Sequence, residues 1–206
     1  MTASPTAPVL HPDSLAGAYT YQAYRQLIDE LLTQGKTTGP NQSEELTHYT
    51  ELNVQRMERL DKTVKVQPAL AAAAAGLQGN YLWLIITEGW CGDAAQLVPV
   101  FEAVAQASQG HLTTRYVLRD EHPELMDQYL TGGGKAIPKL LVLHPTTLAE
   151  ITHWGPRPAP AQELFRKLKA EGATHEAFAL QLHTWYAHDR TQTTQNELLA
   201  LVQGLE

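Results

Sequence analysis

The segment Tyr81-Leu82-Trp83-Leu84-Ile85-Ile86 is an unbroken apolar run, rich in aromatic and branched side chains, with no polar residue alternating through it. Such a run fits a strand covered on both faces, because a half-solvated strand would alternate. Gly89 breaks the run, and from Cys91 to Ser108 the apolar positions Leu97, Val98, Phe101, Val104 and Ala105 fall on one face of a helix. A strand feeding directly into a helix demands layers on both sides of a sheet. The continuation agrees. Thr113 to Leu118 reads as a strand and Pro123 to Leu130 as a helix, closed by the Gly132-Gly133-Gly134 loop. Pro138 to Leu143 and Leu148 to Trp154 read as two strands joined by a Pro145-Thr146-Thr147 turn. The strand–helix–strand unit favours parallel pairing through a right-handed crossover, and the closing pair is near enough for an antiparallel hairpin. The expected class is α/β, with a four-stranded mixed sheet flanked by helices.

Helical patterns lie on both sides of this core, which spans residues 80–170. Residues 1–13 carry Pro5, Pro8 and Pro12 among small residues and are expected to be a flexible tail. Residues 14–79 read as an N-terminal helical region. A first helix runs from Ser14 to Leu32 and ends at Gly35 and Gly39-Pro40. A second is capped by Ser43, with Glu44 and Glu45 at its positive end. A third, alanine-rich helix runs from Pro68 to Ala75. No strand signal precedes Tyr81, so these helices are expected to cover a sheet edge. Residues 171–206 form a helical extension, with segments at His175 to His188 and Gln195 to Val202.

Composition sets the outer limits on function. With 43% hydrophobic and 18% charged residues, the chain can bury a core. Its net charge of -7 argues against a phosphate-gripping surface, so no nucleic-acid partner is expected. There is no polybasic run and no apolar stretch of membrane-spanning length. The first twelve residues lack the features of a signal peptide, which points to a cytoplasmic protein.

The one cysteine, Cys91, excludes an intrachain disulfide. Its place at the start of a helix matters, because free N–H groups and the helix dipole there favour thiolate, the nucleophile of disulfide exchange. Other chemistry is weakly signalled. His183 and His188 lack metal-ligand spacing, nothing local brings a histidine to Cys91, and no metal or cofactor is expected. Gly132-Gly133-Gly134-Lys135 lacks the flanking strand, helix and hydroxyl of a phosphate loop.

Thr87-Glu88-Gly89-Trp90-Cys91-Gly92-Asp93-Ala94 resembles the active-site segment of the thioredoxin family. Pro99 stands at the family's helix proline, Ile137-Pro138 resembles its cis-proline, and Gly155 matches the glycine after its closing hairpin. The flanking helices, Glu-Gly-Trp-Cys-Gly-Asp-Ala-Ala-Gln and Trp-Gly-Pro-Arg-Pro resemble extended bacterial members. The resemblance implies a thioredoxin-like fold and names Cys91 as the catalytic residue. It implies a groove for a partner framed by Trp90, Gly92, Asp93, Ile137 and Pro138; Arg119 at a strand end, Lys135 beside the proline strand and Arg157 after the hairpin are candidates for its rim. Ala94 holds the place of the resolving cysteine, and Ile85 that of a buried acid. The implied chemistry is monothiol thiol–disulfide exchange: Cys91 forms a mixed disulfide with a protein or low-molecular-weight partner, and an external thiol resolves it. The alternatives are a binding module without turnover, or a peroxide sensor working through a sulfenic acid at Cys91.

Overall fold

The computed structural model describes residue 10, residues 12–15 and residues 17–205. A four-stranded sheet forms its centre, built from β1 (Tyr81–Thr87), β2 (Leu112–Leu118), β3 (Lys139–Leu143) and β4 (Glu150–Trp154). The order is β2-β1-β3-β4, with β1 parallel to β2 and antiparallel to β3, and β4 antiparallel to β3. The mixed, helix-flanked sheet read from the sequence is therefore present. β1 is buried from Leu82 to Thr87, as its unbroken apolar run requires.

Among the described residues, eight α-helices surround the sheet: α1 (Tyr21–Thr33), α2 (Glu44–Thr63), α3 (Pro68–Ala75), α4 (Gly92–Ala107), α5 (Pro123–Met126), α6 (Ala159–Ala170), α7 (His175–Asp189) and α8 (Gln192–Gln203). α4 follows β1 directly and is almost wholly buried, with α2, α3 and α7 packed against it. The α4 residue Phe101 meets Trp83 of β1 and Trp154 of β4 edge-on, with ring centroids 6.4 and 5.6 Å apart. Trp83 and Phe101 are fully buried, so truncating either to alanine costs about 3–5 kcal/mol.

Several boundaries differ from the sequence reading. The first helix starts at Tyr21 rather than Ser14, because the Thr20 hydroxyl caps it by accepting the Ala23 N–H. Ahead of it, Pro12–Leu15 forms a 3-10 turn, and Tyr19 makes an isolated antiparallel bridge to Tyr116 on the outer edge of β2. That bridge and α1 occupy the edge where the sequence offered no strand. The tail expected over residues 1–13 lies mostly outside the described residues. Leu10 within it is buried and its N–H donates to Leu148 O at 3.1 Å. The helix expected over Pro123 to Leu130 is a single turn ending at Met126. The last strand begins at Glu150, because Leu148 sits at a left-handed φ of 57°.

Candidate functional site

β1 delivers its last residues into a tight turn, and Cys91 becomes the cap of α4. Its Sγ accepts the Ala94 N–H at 3.4 Å and donates to Ile137 O at 3.3 Å. The Ile137–Pro138 and Gly155–Pro156 peptide bonds are cis. Gly155 is required here: its φ is 112°, and a Cβ would lie 2.6 Å from Pro138 O.

The space beside Cys91 is partly roofed. Helices α6 and α7 lie across it, and Cys91 is only 7% exposed. A pocket of about 260 Å³ remains, with Trp90, Cys91, Gly92, Asp93, Ile137, Arg119, Lys135 and Arg157 all contributing to its wall. The structure thus gathers eight of the nine residues singled out in the sequence. Pro138 is the exception, buried behind Ile137 and outside the pocket wall. The cover comes from Leu46 and Tyr49 of α2, Phe165 of α6, and His175, Phe178, Leu182 and His183 of α7. Three contacts hold α7 down. Leu182 and Tyr186 are buried. The Tyr186 hydroxyl donates to Asp93 Oδ1 at 2.8 Å. The His183 ring packs on Gly92, where a Cβ would meet Nε2 at 2.8 Å. Gly92 therefore makes room for a side chain of the same protein, not for a partner's backbone.

Electrostatics follow from this closure. Burial pushes the Cys91 thiol up to about 12, and the Asp93 carboxylate pushes the same way. The Ala94 N–H and Arg157 oppose them without winning. Asp93 neither caps α4 nor points to solvent: its Oδ2 lies 2.6 Å from Arg157 Nη2 in a buried ion pair. Arg157 is thus a wall residue, seated over the Phe165 ring at 4.1 Å. Arg119 lies over the Trp90 ring at 4.6 Å and pairs with Asp120, while half-exposed Lys135 pairs with Asp127. Lys139 is buried, and its Nζ donates to Gly155 O at 3.1 Å.

Two functional candidates were not singled out from the sequence. Glu88, at the end of β1, is fully buried; it accepts the Thr38 hydroxyl and the Asp120 N–H, and burial pushes it up to about 7. The Thr38 hydroxyl also accepts the Gly89 N–H at 2.8 Å, so this acid ties the loop before α2 to the turn that carries Cys91. An acid wedged between a buried strand and a glycine is the signal that marks it. His183 is the second. Burial and the nearby Arg56 and Arg59 charges hold it down to about 4, so it is neutral at pH 7. Gln96 donates to its Nδ1 at 3.2 Å, which leaves the proton on Nε2 beside Gly92. Among the described residues, no cluster of three or more His, Cys, Asp or Glu could hold a metal, and no helix is long and apolar enough to cross a membrane.

A mixed sheet in this order, a cysteine capping the helix after the central strand, and a cis-proline whose preceding carbonyl accepts from that cysteine define a thioredoxin-fold protein. The family model described as Thioredoxin matches residues 39–169, well over half of the chain, and the protein belongs to that family. The match takes in α2 and α3, which the sequence reading had set outside the core. No curated protein matches the chain. Among solved structures it is similar to a protein of unknown function from Pseudomonas aeruginosa, with a TM-score of 0.56 and 13% identity over 91% of this chain and 99% of that one. It is also similar to an HIV epitope-scaffold, with a TM-score of 0.54 and 16% identity over 90% of this chain and 99% of that one. At these identities both likenesses concern the fold alone.

Proposed function

We propose that this thioredoxin-family protein is a binding module that takes a small molecule at Cys91, in the place where an open groove would receive a protein partner. The observation that carries this reading is the covered sulfur: Cys91 lies at 7% exposure in the wall of a half-open pocket, beneath helices α6 and α7. A folded protein substrate cannot reach a sulfur so covered, whereas a low-molecular-weight compound can occupy the space beside it. The neutral thiol then serves as a polarisable contact and weak donor rather than as a nucleophile.

Monothiol exchange is the second reading, favoured by the Ala94 N–H on Sγ and by the start of α4. In that chemistry the Cys91 thiolate attacks one sulfur of a small disulfide, RSSR, giving Cys91–S–S–R and releasing RS⁻. A low-molecular-weight thiol then attacks the mixed disulfide and returns Cys91 to the thiol. A thiol pushed up to about 12 is a poor starting point for that attack. A peroxide-sensing role draws on the same thiolate and has no separate support. The deciding test is mixed-disulfide formation with oxidised 2-mercaptoethanol at pH 7.5, followed by intact mass. The binding reading expects Cys91 to react far more slowly in the native chain than in guanidinium. Native reaction faster than in the unfolded chain would reverse the order of the two readings.

A further inference from the structure

A second cavity lies on the other side of α7. It holds about 420 Å³, between the last turns of α2, the loop after it, α4 and the turn that joins α7 to α8. That volume is within the roughly 300–1,000 Å³ of small-molecule sites. Gln96 and Tyr186 line it, while their polar ends hold His183 and Asp93 of the pocket at Cys91. The two spaces are separate, and a ligand in one does not require a ligand in the other.

Charge distinguishes this cavity. Arg59, Lys65 and Arg190 reach its wall from three different segments, and among the described residues no carboxylate lines it. All three residues are exposed, so a ligand can reach them. None of the three is ion-paired among the described residues, whereas Arg25, Arg119, Lys135, Arg157, Arg166 and Lys167 all are. Asp189, next to Arg190 in the chain, lies outside the wall and accepts the Thr193 N–H and hydroxyl at the start of α8. In a chain of net charge -7, three unpaired cations around one cavity make a local positive potential. Arg190 also holds an unfavourable backbone. Its φ is 51°, in the left-handed region where glycine is the usual residue at a helix C-terminus. The side chain, not the turn, is what an arginine supplies there.

From three unpaired cations converging on an acid-free cavity, we infer that this space binds a small phosphate monoester. A phosphate monoester presents three terminal oxygens, one for each cation, where a carboxylate presents two. Guanidinium groups bond phosphate with charge assistance and matching geometry. The organic body lies against Leu60, Val64 and Tyr186.

Phenyl phosphate, benzoate and phenol share a ring and differ in charge and oxygen count. In calorimetric titrations of the full chain at pH 7.5, phenyl phosphate is expected to bind roughly tenfold tighter than benzoate, with phenol weakest. Arg190→Gly should weaken phenyl phosphate binding by roughly tenfold while the Tm stays level or rises, because glycine suits the left-handed turn. General damage would lower both. Lys169→Gln, which removes an exposed cation of α6 outside this cavity, should leave binding unchanged. Benzoate binding as tightly as phenyl phosphate would overturn the phosphate assignment. Arg190→Gly binding like wild type, or Lys169→Gln losing as much as Arg190→Gly, would overturn the placement. No phenyl phosphate binding up to millimolar concentration would overturn the site itself, and the reading of the Cys91 pocket would stand untouched.

Discussion

Asp93→Asn probes the charge balance that keeps Cys91 protonated. Asp93 and Arg157 are 11% and 9% exposed, and Asn preserves the volume and one acceptor for the Tyr186 hydroxyl while deleting the charge. Removing one member of a buried pair costs about 3–5 kcal/mol, because the other charge stays desolvated. Arg157 keeps Gln162 and the Phe165 face, so a loss near about 3 kcal/mol is expected, a fall of roughly 6–12 °C in Tm. The effect on the thiol has the opposite sense. Burial is the main force holding Cys91 up at about 12 and Asp93 is the second, while Arg157 works against both. Losing the carboxylate and unmasking the guanidinium favour thiolate together. One pKa unit is a factor of ten, and charges a few ångströms apart at an effective dielectric near 20 interact by a few kcal/mol, so one to two units is the expected drop. Iodoacetamide alkylation at pH 8, read by intact mass, should run roughly 10³-fold slower in the folded wild type than in the unfolded chain. The variant should recover a factor of roughly 10–100 of that. Urea denaturation measures the stability term. A variant as stable as wild type and no more reactive would refute both the buried pair and its charge effect.

Two further perturbations follow from the same geometry. Gly92→Ala places a Cβ 2.8 Å from His183 Nε2, so it should push α7 outward, cost about 1–3 kcal/mol and speed Cys91 alkylation. Adding His183→Ala should restore slow alkylation, and a double variant still fast would show that α7 is not the cover. Glu88 sits near 7 in the folded chain against about 4.3 when unfolded, so the folded state binds more protons between those values and wild-type stability falls as pH rises through that window. His183, held down to about 4, acts oppositely, losing stability as pH falls through 6.5. Comparison with Glu88→Gln cancels the histidine: the variant should gain on wild type by up to about 3 kcal/mol from pH 5 to pH 8 in urea titrations. A difference flat in pH would mean that Glu88 is solvated.

The junction of β1 and α4 was legible because a doubly buried strand leaves no alternation and a capping residue must follow it. Arg119, Lys135 and Arg157 were readable only as candidate rim residues from their places beside strands and turns, and the sequence did not reveal that Arg157 is clamped to Asp93. The cover was not legible. α7 sends Leu182 and Tyr186 toward the core, His175 and His183 to the pocket at Cys91, and leaves Leu180 70% exposed, so it shows no clean apolar stripe for periodicity to detect. Beyond the neighbouring α6 its partners include α4, far away in the chain, and only the fold brings His183 onto Gly92. The start of α1 was misread for a related reason: Leu15 and Tyr19 are spaced like a helix, but Tyr19 is used in a bridge to β2.

The departures at the active-site segment form one set once the cover is included. A resolving cysteine at the position of Ala94 serves only a thiolate that attacks an outside disulfide, and an acid at Ile85 would serve only to pass its proton. Here both positions are fully apolar core, Ala94 at 1% exposed and Ile85 at 0%. The buried acid stands instead at Glu88, turned to Thr38 and the Asp120 N–H, where it braces the loop packed beside Trp90. Asp93, placed where it disfavours thiolate, anchors the Tyr186 hydroxyl and Arg157. Each substitution that weakens disulfide turnover thus strengthens either the core or the lid.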